Sequence, residues 1–168
     1  MNKSKSTPHN LIFQELDAEE ISKFLGIARQ VKFPKGTTII REGELGETMY
    51  ILAEGTVEVS KTLTLKKWGG LDYKEKEKIL TKLSAADQPI FGEVALFENN
   101  VRTATVTALS DCVAWEVSRP DFHKLAEENP LLGYKIIKNI AKLLCWRLRK
   151  ADEDTVKLTT ALSLALRK

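Results

Sequence analysis

Phe33-Pro34-Lys35-Gly36-Thr37-Thr38-Ile39-Ile40-Arg41-Glu42-Gly43-Glu44-Leu45-Gly46-Glu47-Thr48-Met49-Tyr50-Ile51-Leu52-Ala53-Glu54-Gly55 is the stretch whose reading decides the fold. It holds two short runs rich in β-branched and aromatic residues, 37–41 and 48–53, each bounded by glycine. Runs of that length with turn residues between them read as strands joined by tight loops. The same rhythm continues from Val31 to Val117, through runs at 56–65, 73–83, 104–108 and 112–117. Trp68-Gly69-Gly70 marks a hairpin between the two longest, because glycine supplies the positive φ such a turn needs. Successive short strands at this spacing predict an antiparallel barrel or sandwich rather than alternating βα units.

Helical patterns flank this β region. Asp17 is placed as an N-cap, with Glu20 three residues on completing a capping box. Leu16, Ile21, Phe24, Leu25 and Ala28 recur at helical spacing, so 17–28 reads as an amphipathic helix. After the β region, Arg119-Pro120-Asp121 starts one helix and Pro130 another. Beyond Gly133 neither proline nor glycine interrupts the chain to Lys168. Leu144, Leu148, Ala151, Thr155, Leu158, Leu162 and Ala165 alternate steps of four and three, a heptad seam. A second copy of the helix is one partner for that seam; the chain's own β layer is the other.

Composition narrows the function classes. Of 168 residues, 43% are hydrophobic and 29% charged, the profile of a soluble globular protein. No apolar run approaches a membrane span, and residues 1–10 lack the apolar block of a signal peptide, so the expected location is the cytoplasm. Cys112 and Cys145 cannot build a disulfide framework and read as packed, reduced thiols in apolar surroundings. His9 and His123 are the only histidines, too few for a cupin-type or zinc site, so no metal is expected. A net charge of +3, with basic residues spread among acids, does not suggest nucleic acid.

The segment Phe91-Gly92-Glu93-Val94-Ala95-Leu96, followed by Arg102-Thr103-Ala104-Thr105, carries the chemistry. Gly92 lets backbone N–H groups approach a ligand, and successive amides in a short turn favour an anion. The Arg102 guanidinium matches two phosphate oxygens at once. A carboxylate beside an anion is explained when it accepts from a sugar hydroxyl, which makes phosphate plus ribose the economical ligand. A structural Glu93–Arg102 pair explains the same residues.

These residues resemble the phosphate-binding cassette of the cyclic-nucleotide-binding domain family, and 33–55 is similar to that family's first strands and turns. The resemblance runs from Leu11 to Arg149 in the right order. It implies an α+β fold: an antiparallel β-roll or barrel (double-stranded β-helix) with an N-terminal helix and C-terminal helices. The chain then divides into a flexible tail at 1–10, a cyclic-nucleotide-binding β-roll with its N-terminal helix at 11–130, and a long helix at 131–168 serving as a dimer element. In the site, the resemblance implies that Glu93 accepts from the ribose 2′-hydroxyl. The backbones of Gly92, Val94 and Ala95 with the Arg102 side chain hold the cyclic phosphate, and Thr103 adds a hydroxyl. Gly43, Gly46 and Gly55 serve turns.

Three departures from the family pattern accompany the resemblance. Residues 85–90 lack the usual Gly-Asp turn, the strands flanking Gly69-Gly70 are long, and Ala151-Asp152 stand where a purine-contacting helix offers hydroxyls. Too few residues follow Thr155 for a helix-turn-helix, so direct DNA binding is not expected. The implied function is a non-enzymatic sensor for cAMP or cGMP, a homodimer acting on an unidentified downstream protein through ligand-dependent helix rearrangement. A degenerate domain kept as a ligand-independent dimerisation or docking scaffold is the alternative. A cupin-like enzyme is opposed by the missing histidines.

Overall fold

The computed structural model describes residues 11–66, 73–87, 89–98 and 101–166. The expected tail at 1–10 and the Trp68-Gly69-Gly70 turn lie outside the described residues. Asp17 caps helix α1 (Ala18–Gly26) through a full capping box: Glu20 N–H donates to Asp17 Oδ1 at 2.8 Å, and Asp17 N–H to Glu20 Oε2 at 3.0 Å. Eight strands follow among the described residues: β1 (Arg29–Phe33), β2 (Thr38–Ile40), β3 (Thr48–Glu54), β4 (Thr56–Lys66), β5 (Tyr73–Ser84), β6 (Ile90–Phe91), β7 (Thr105–Ala108) and β8 (Cys112–Ser118). Helices α2 (Arg119–Glu128) and α3 (Pro130–Ala165) complete the chain, each with proline in its first turn.

The strands form two four-stranded antiparallel sheets, ordered β1-β8-β3-β6 and β2-β7-β4-β5. They are two separate sheets rather than the closed barrel that strand counting allows, and the α+β β-roll architecture stands. β3 shows how one strand serves two cores. Met49 and Ile51 point into the layer shared with the helices, while Tyr50 and Leu52 point between the sheets. Each such fully buried aliphatic side chain stabilises the fold by about 1.5–3 kcal/mol.

The first half of α3 belongs to the helical core, through buried Leu132, Ile136, Ile140 and Leu143. Buried Asn139 donates from Nδ2 to the carbonyls of Ile12 (3.1 Å) and Gln14 (2.7 Å), tying the N-terminal turn to this helix. Glu15, next to that turn, has φ of 63° and is bonded by Lys138 (2.8 Å) and Lys142 (3.1 Å) of α3. Chiefly through the Lys138 hydrogen bond, its carboxyl is pulled down to about 2. A lowered folded-state value means these pairs hold at neutral pH and are lost only as pH falls through about 2.

Cys112 is buried as expected, but Cys145 is exposed. It follows the core-facing Leu143 by two residues, which turns it some 200° around the helix, away from the apolar layer. From Leu148 to Ala165 every residue of the last helix is exposed. None of the described helices is long and apolar enough to cross a membrane.

Candidate functional site

The site forms where β6 ends. Gly92 takes φ of 75°, in the left-handed region, and turns the chain into a single 3-10 turn, Glu93–Leu96. A Cβ on Gly92 would lie 2.9 Å from Arg102 Nη1 and 3.0 Å from the Thr48 carbonyl oxygen, so glycine is also required for the close approach. The Ala95 N–H closes the turn by donating to the Gly92 carbonyl at 3.2 Å. Its far end is held from α2. Arg119 Nε donates to Ala95 O and its Nη2 to Glu98 O, both at 2.8 Å, and His123 Nε2 lies 3.0 Å from Leu96 O.

Arg102 is half-buried and reaches the same turn. Its Nη1 donates to Thr48 O at 2.8 Å and to Gly92 O at 3.3 Å, and its Nη2 to Thr48 Oγ1 at 3.0 Å. Burial is the main cause pulling its guanidinium below the usual arginine value, yet arginine stays charged at any working pH. Gly46 serves this side chain directly. A Cβ there would come within 2.2 Å of Arg102 Nε and 2.5 Å of Cζ, so any larger residue would push the guanidinium aside. Gly46 is thus part of the site's construction rather than only a turn residue.

Glu93 is 3% exposed. Its Oε1 accepts from Arg147 Nη1 of α3 at 2.5 Å, while Arg147 Nη2 donates to the Ile90 carbonyl at 2.7 Å. Its Oε2 is buried with no hydrogen-bond partner. The structure therefore brings Gly92, Glu93, Val94, Ala95 and Arg102 together around one turn. Val94 is partly buried, and Thr103 stands exposed beside Arg102. The simple Glu93–Arg102 ion pair is not what forms, because Glu93 turns to Arg147 and Arg102 to Thr48 and Gly92. Ala151 and Asp152 are exposed on α3, beyond the part of the helix that packs on the body.

Sequence reasoning missed Arg147. Its signal is positional: Ile136, Ile140, Leu143 and Arg147 follow one another at steps of four, three and four, placing a cation on the core-facing stripe. Arg147→Ala leaves Glu93 as a buried, uncompensated carboxylate. The expected loss in unfolding free energy is about 2–3 kcal/mol, below the value for a fully buried pair because Arg147 is one-third exposed. Urea unfolding of parent and variant measures it. Among the described residues no group of three or more His, Cys, Asp or Glu side chains is gathered to hold a metal ion.

The family profile of the cyclic nucleotide-binding domain matches residues 30–129, and the chain belongs to that family. A cAMP-activated global transcriptional regulator of Pasteurella multocida is 35% identical over 136 residues, 80% of this chain and 58% of the regulator. A cGMP-dependent protein kinase of Drosophila melanogaster is 28% identical over 153 residues, 91% of this chain and 13% of the kinase. Among solved structures, the Thermus thermophilus catabolite activator protein matches with a TM-score of 0.72 at 29% identity, over 89% of this chain and 63% of that one. The chain thus spans less than two thirds of each of these relatives.

Proposed function

We propose that the chain binds cAMP or cGMP at the Glu93–Arg102 turn and works as a regulatory sensor in the cytoplasm, with no catalysis and no metal. The observation that carries this reading is the buried, unpartnered Glu93 Oε2. An acceptor without a donor costs about 1–3 kcal/mol, and a ribose hydroxyl is a neutral donor of suitable size to relieve it. The phosphate would lie between the start of the Gly92–Ala95 turn, whose Ala95 N–H already closes on the Gly92 carbonyl, and the Arg102 fork, with Thr103 at its edge. Of the five Arg102 N–H groups, the bonds to Thr48 and Gly92 engage three, and the other two find no acceptor among the described residues.

Output in this reading is a helix rearrangement. Arg147 links the ribose-facing Glu93 to α3, so a ligand that changes the Glu93 environment changes what holds the helix. The 131–168 segment then acts as the dimer element, passing the change to a downstream protein. The second reading, a ligand-independent scaffold, draws on the same contacts: Arg147 already fills half of the Glu93 carboxylate, and Thr48 already takes much of Arg102.

Calorimetric titration separates the two. Both cAMP and cGMP are expected to bind, with affinities within about tenfold, or about 1.4 kcal/mol, since a hydroxyl at Thr103 is compatible with the guanine amino group as well as with the phosphate. No heat from either nucleotide at millimolar concentration would leave the scaffold reading. A thousandfold preference would require a base contact beyond those named here.

A further inference from the structure

Arg102 stands at one end of a hydrogen-bonded row that crosses the sheet. Its Nη2 donates to Thr48 Oγ1 at 3.0 Å, and Thr48 Oγ1 lies 3.2 Å from the Tyr50 hydroxyl. The Tyr50 hydroxyl is 2.9 Å from Glu116 Oε1. Arg29 closes the row by donating to Glu116 Oε2 from Nε (3.1 Å) and Nη2 (2.6 Å). The strand register makes most of this row. Arg29 faces Glu116 across β1 and β8, and Glu116 faces Tyr50 across β8 and β3.

The ends of the row fix the direction of every proton in it. A guanidinium only donates and an ionised carboxylate only accepts. Thr48 Oγ1 accepts from Arg102, so its own proton goes to Tyr50. The Tyr50 proton therefore goes to Glu116. Burial, above all, raises the Tyr50 phenol, which keeps it a donor. Its ring is fixed independently, stacked on Phe91 with centroids 5.3 Å apart and edge-on to Phe33 at 5.9 Å. Phe91 is the residue immediately before Gly92, so the ring that orients the row also abuts the turn.

We infer that Thr48 and Tyr50 are positioning residues for the nucleotide phosphate: their aligned hydroxyls hold the plane of the Arg102 guanidinium in the orientation that meets it. Neither touches the ligand. Both act through Arg102, and the inference rests on the cyclic-nucleotide reading above. Without the Tyr50 hydroxyl, the Thr48 proton has no fixed acceptor and can turn toward Arg102, so the guanidinium loses one of its three fixed acceptors.

The test is calorimetry with cAMP on the full chain, using Tyr50→Phe, Thr48→Val, the double variant and Thr48→Ser. Tyr50→Phe keeps the ring and Thr48→Val keeps the shape, so each should fold with little change in melting temperature. Each should bind cAMP about fivefold more weakly, the scale of one lost net hydrogen bond. The double variant should lose no more than the weaker single, because both cut the same row. Thr48→Ser, which keeps the hydroxyl, should bind like the parent.

The two phosphorothioate diastereomers of cAMP give a readout that a merely structural role would not move. The parent's preference between them should shrink in Tyr50→Phe and Thr48→Val, since only phosphate orientation distinguishes these probes. Parent-like binding and preference in both single variants would overturn the inference and leave the binding reading intact. A parent that binds neither cAMP nor cGMP would overturn the binding reading, and the inference with it.

Discussion

Arg102→Ala is expected to weaken cAMP binding by about 2–5 kcal/mol, a loss of some thirtyfold to several thousandfold in affinity. The size follows from where the guanidinium sits. It is half-buried beside the Gly92 turn, where a phosphate is screened less than at the surface. Losing it strips the anion of the guanidinium this reading sets against it, since Arg119 and Arg147 are engaged by the turn's carbonyls and by Glu93. The fold should survive. Arg102 gives up bonds to the Thr48 carbonyl and hydroxyl, and Thr48 is partly exposed, so water can replace them.

Arg102→Lys is the sharper variant. It retains the charge but loses the planar fork, so it should recover only part of the affinity. Gly46 is what makes the comparison meaningful, because its missing side chain leaves a slot shaped to the guanidinium face. Calorimetry on both variants, with thermal unfolding as a control, settles the assignment. Parent-like affinity in Arg102→Ala, with an unchanged melting temperature, would remove the turn from the ligand site.

Much of this arrangement is legible in the sequence where local chemistry is decisive. The Asp17–Glu20 capping box depends on four consecutive residues and appears as read. Strands β3, β4, β5 and β8 are long enough for glycine boundaries and β-branched content to mark them. β1 is harder to see in sequence: Arg-Gln-Val-Lys-Phe alternates, with Val31 and Phe33 half-buried, but two apolar positions on a largely exposed edge strand are too few to mark it. β6 has two residues, too few for any periodicity, and exists because β3 supplies its pairing partner at Tyr50 and Ile51.

The site divides along the same line. Gly92, Glu93 and Arg102 lie within eleven positions of one another and could be read together. The partners they choose could not. Arg147 is 54 residues from Glu93, and Thr48 is 54 from Arg102. These pairings are set by how α3 and β3 pack, which no local pattern encodes. The exposed Cys145 teaches the same lesson in reverse. Its neighbours in sequence are apolar, but helical geometry sends their side chains to different faces.

Leu158→Glu combined with Leu162→Glu is expected to dissociate a parallel homodimer built on α3 while leaving cAMP affinity per subunit within a few-fold of the parent. In the single chain Leu148 is 63% exposed, and Leu158 and Leu162 are each 60% exposed, so most of their apolar surface is left uncovered by the described residues. The stripe also runs further back than its last-helix reading. Tyr134, Ile137 and Ala141 continue the three-four alternation toward the N-terminus on exposed positions of the same helix. The core uses chiefly Leu132, Ile136, Ile140 and Leu143; of the seam residues, Leu144 also packs partly buried against it, so pairing beyond Leu144 need not disturb the body. In a parallel pair each seam residue meets its own copy. Leucines at 158 and 162 then bury one another, each worth about 1.5–3 kcal/mol, whereas Ala151 and Thr155 leave the centre underfilled. Moderate affinity follows. Four glutamates in place of four leucines remove that burial and add like-charge repulsion across the seam. Arg147 lies between Leu144 and Leu148 in sequence, but on the side that grips Glu93. A nucleotide that alters this grip must therefore alter the seam if it binds two dispositions of α3 with different affinity. Linkage then requires dimerisation to alter nucleotide affinity by the same factor. Sedimentation velocity at tens of micromolar, with and without cAMP, reads both effects. A monomeric parent under both conditions would overturn the dimer, and a dimer indifferent to cAMP would sever the seam from the site.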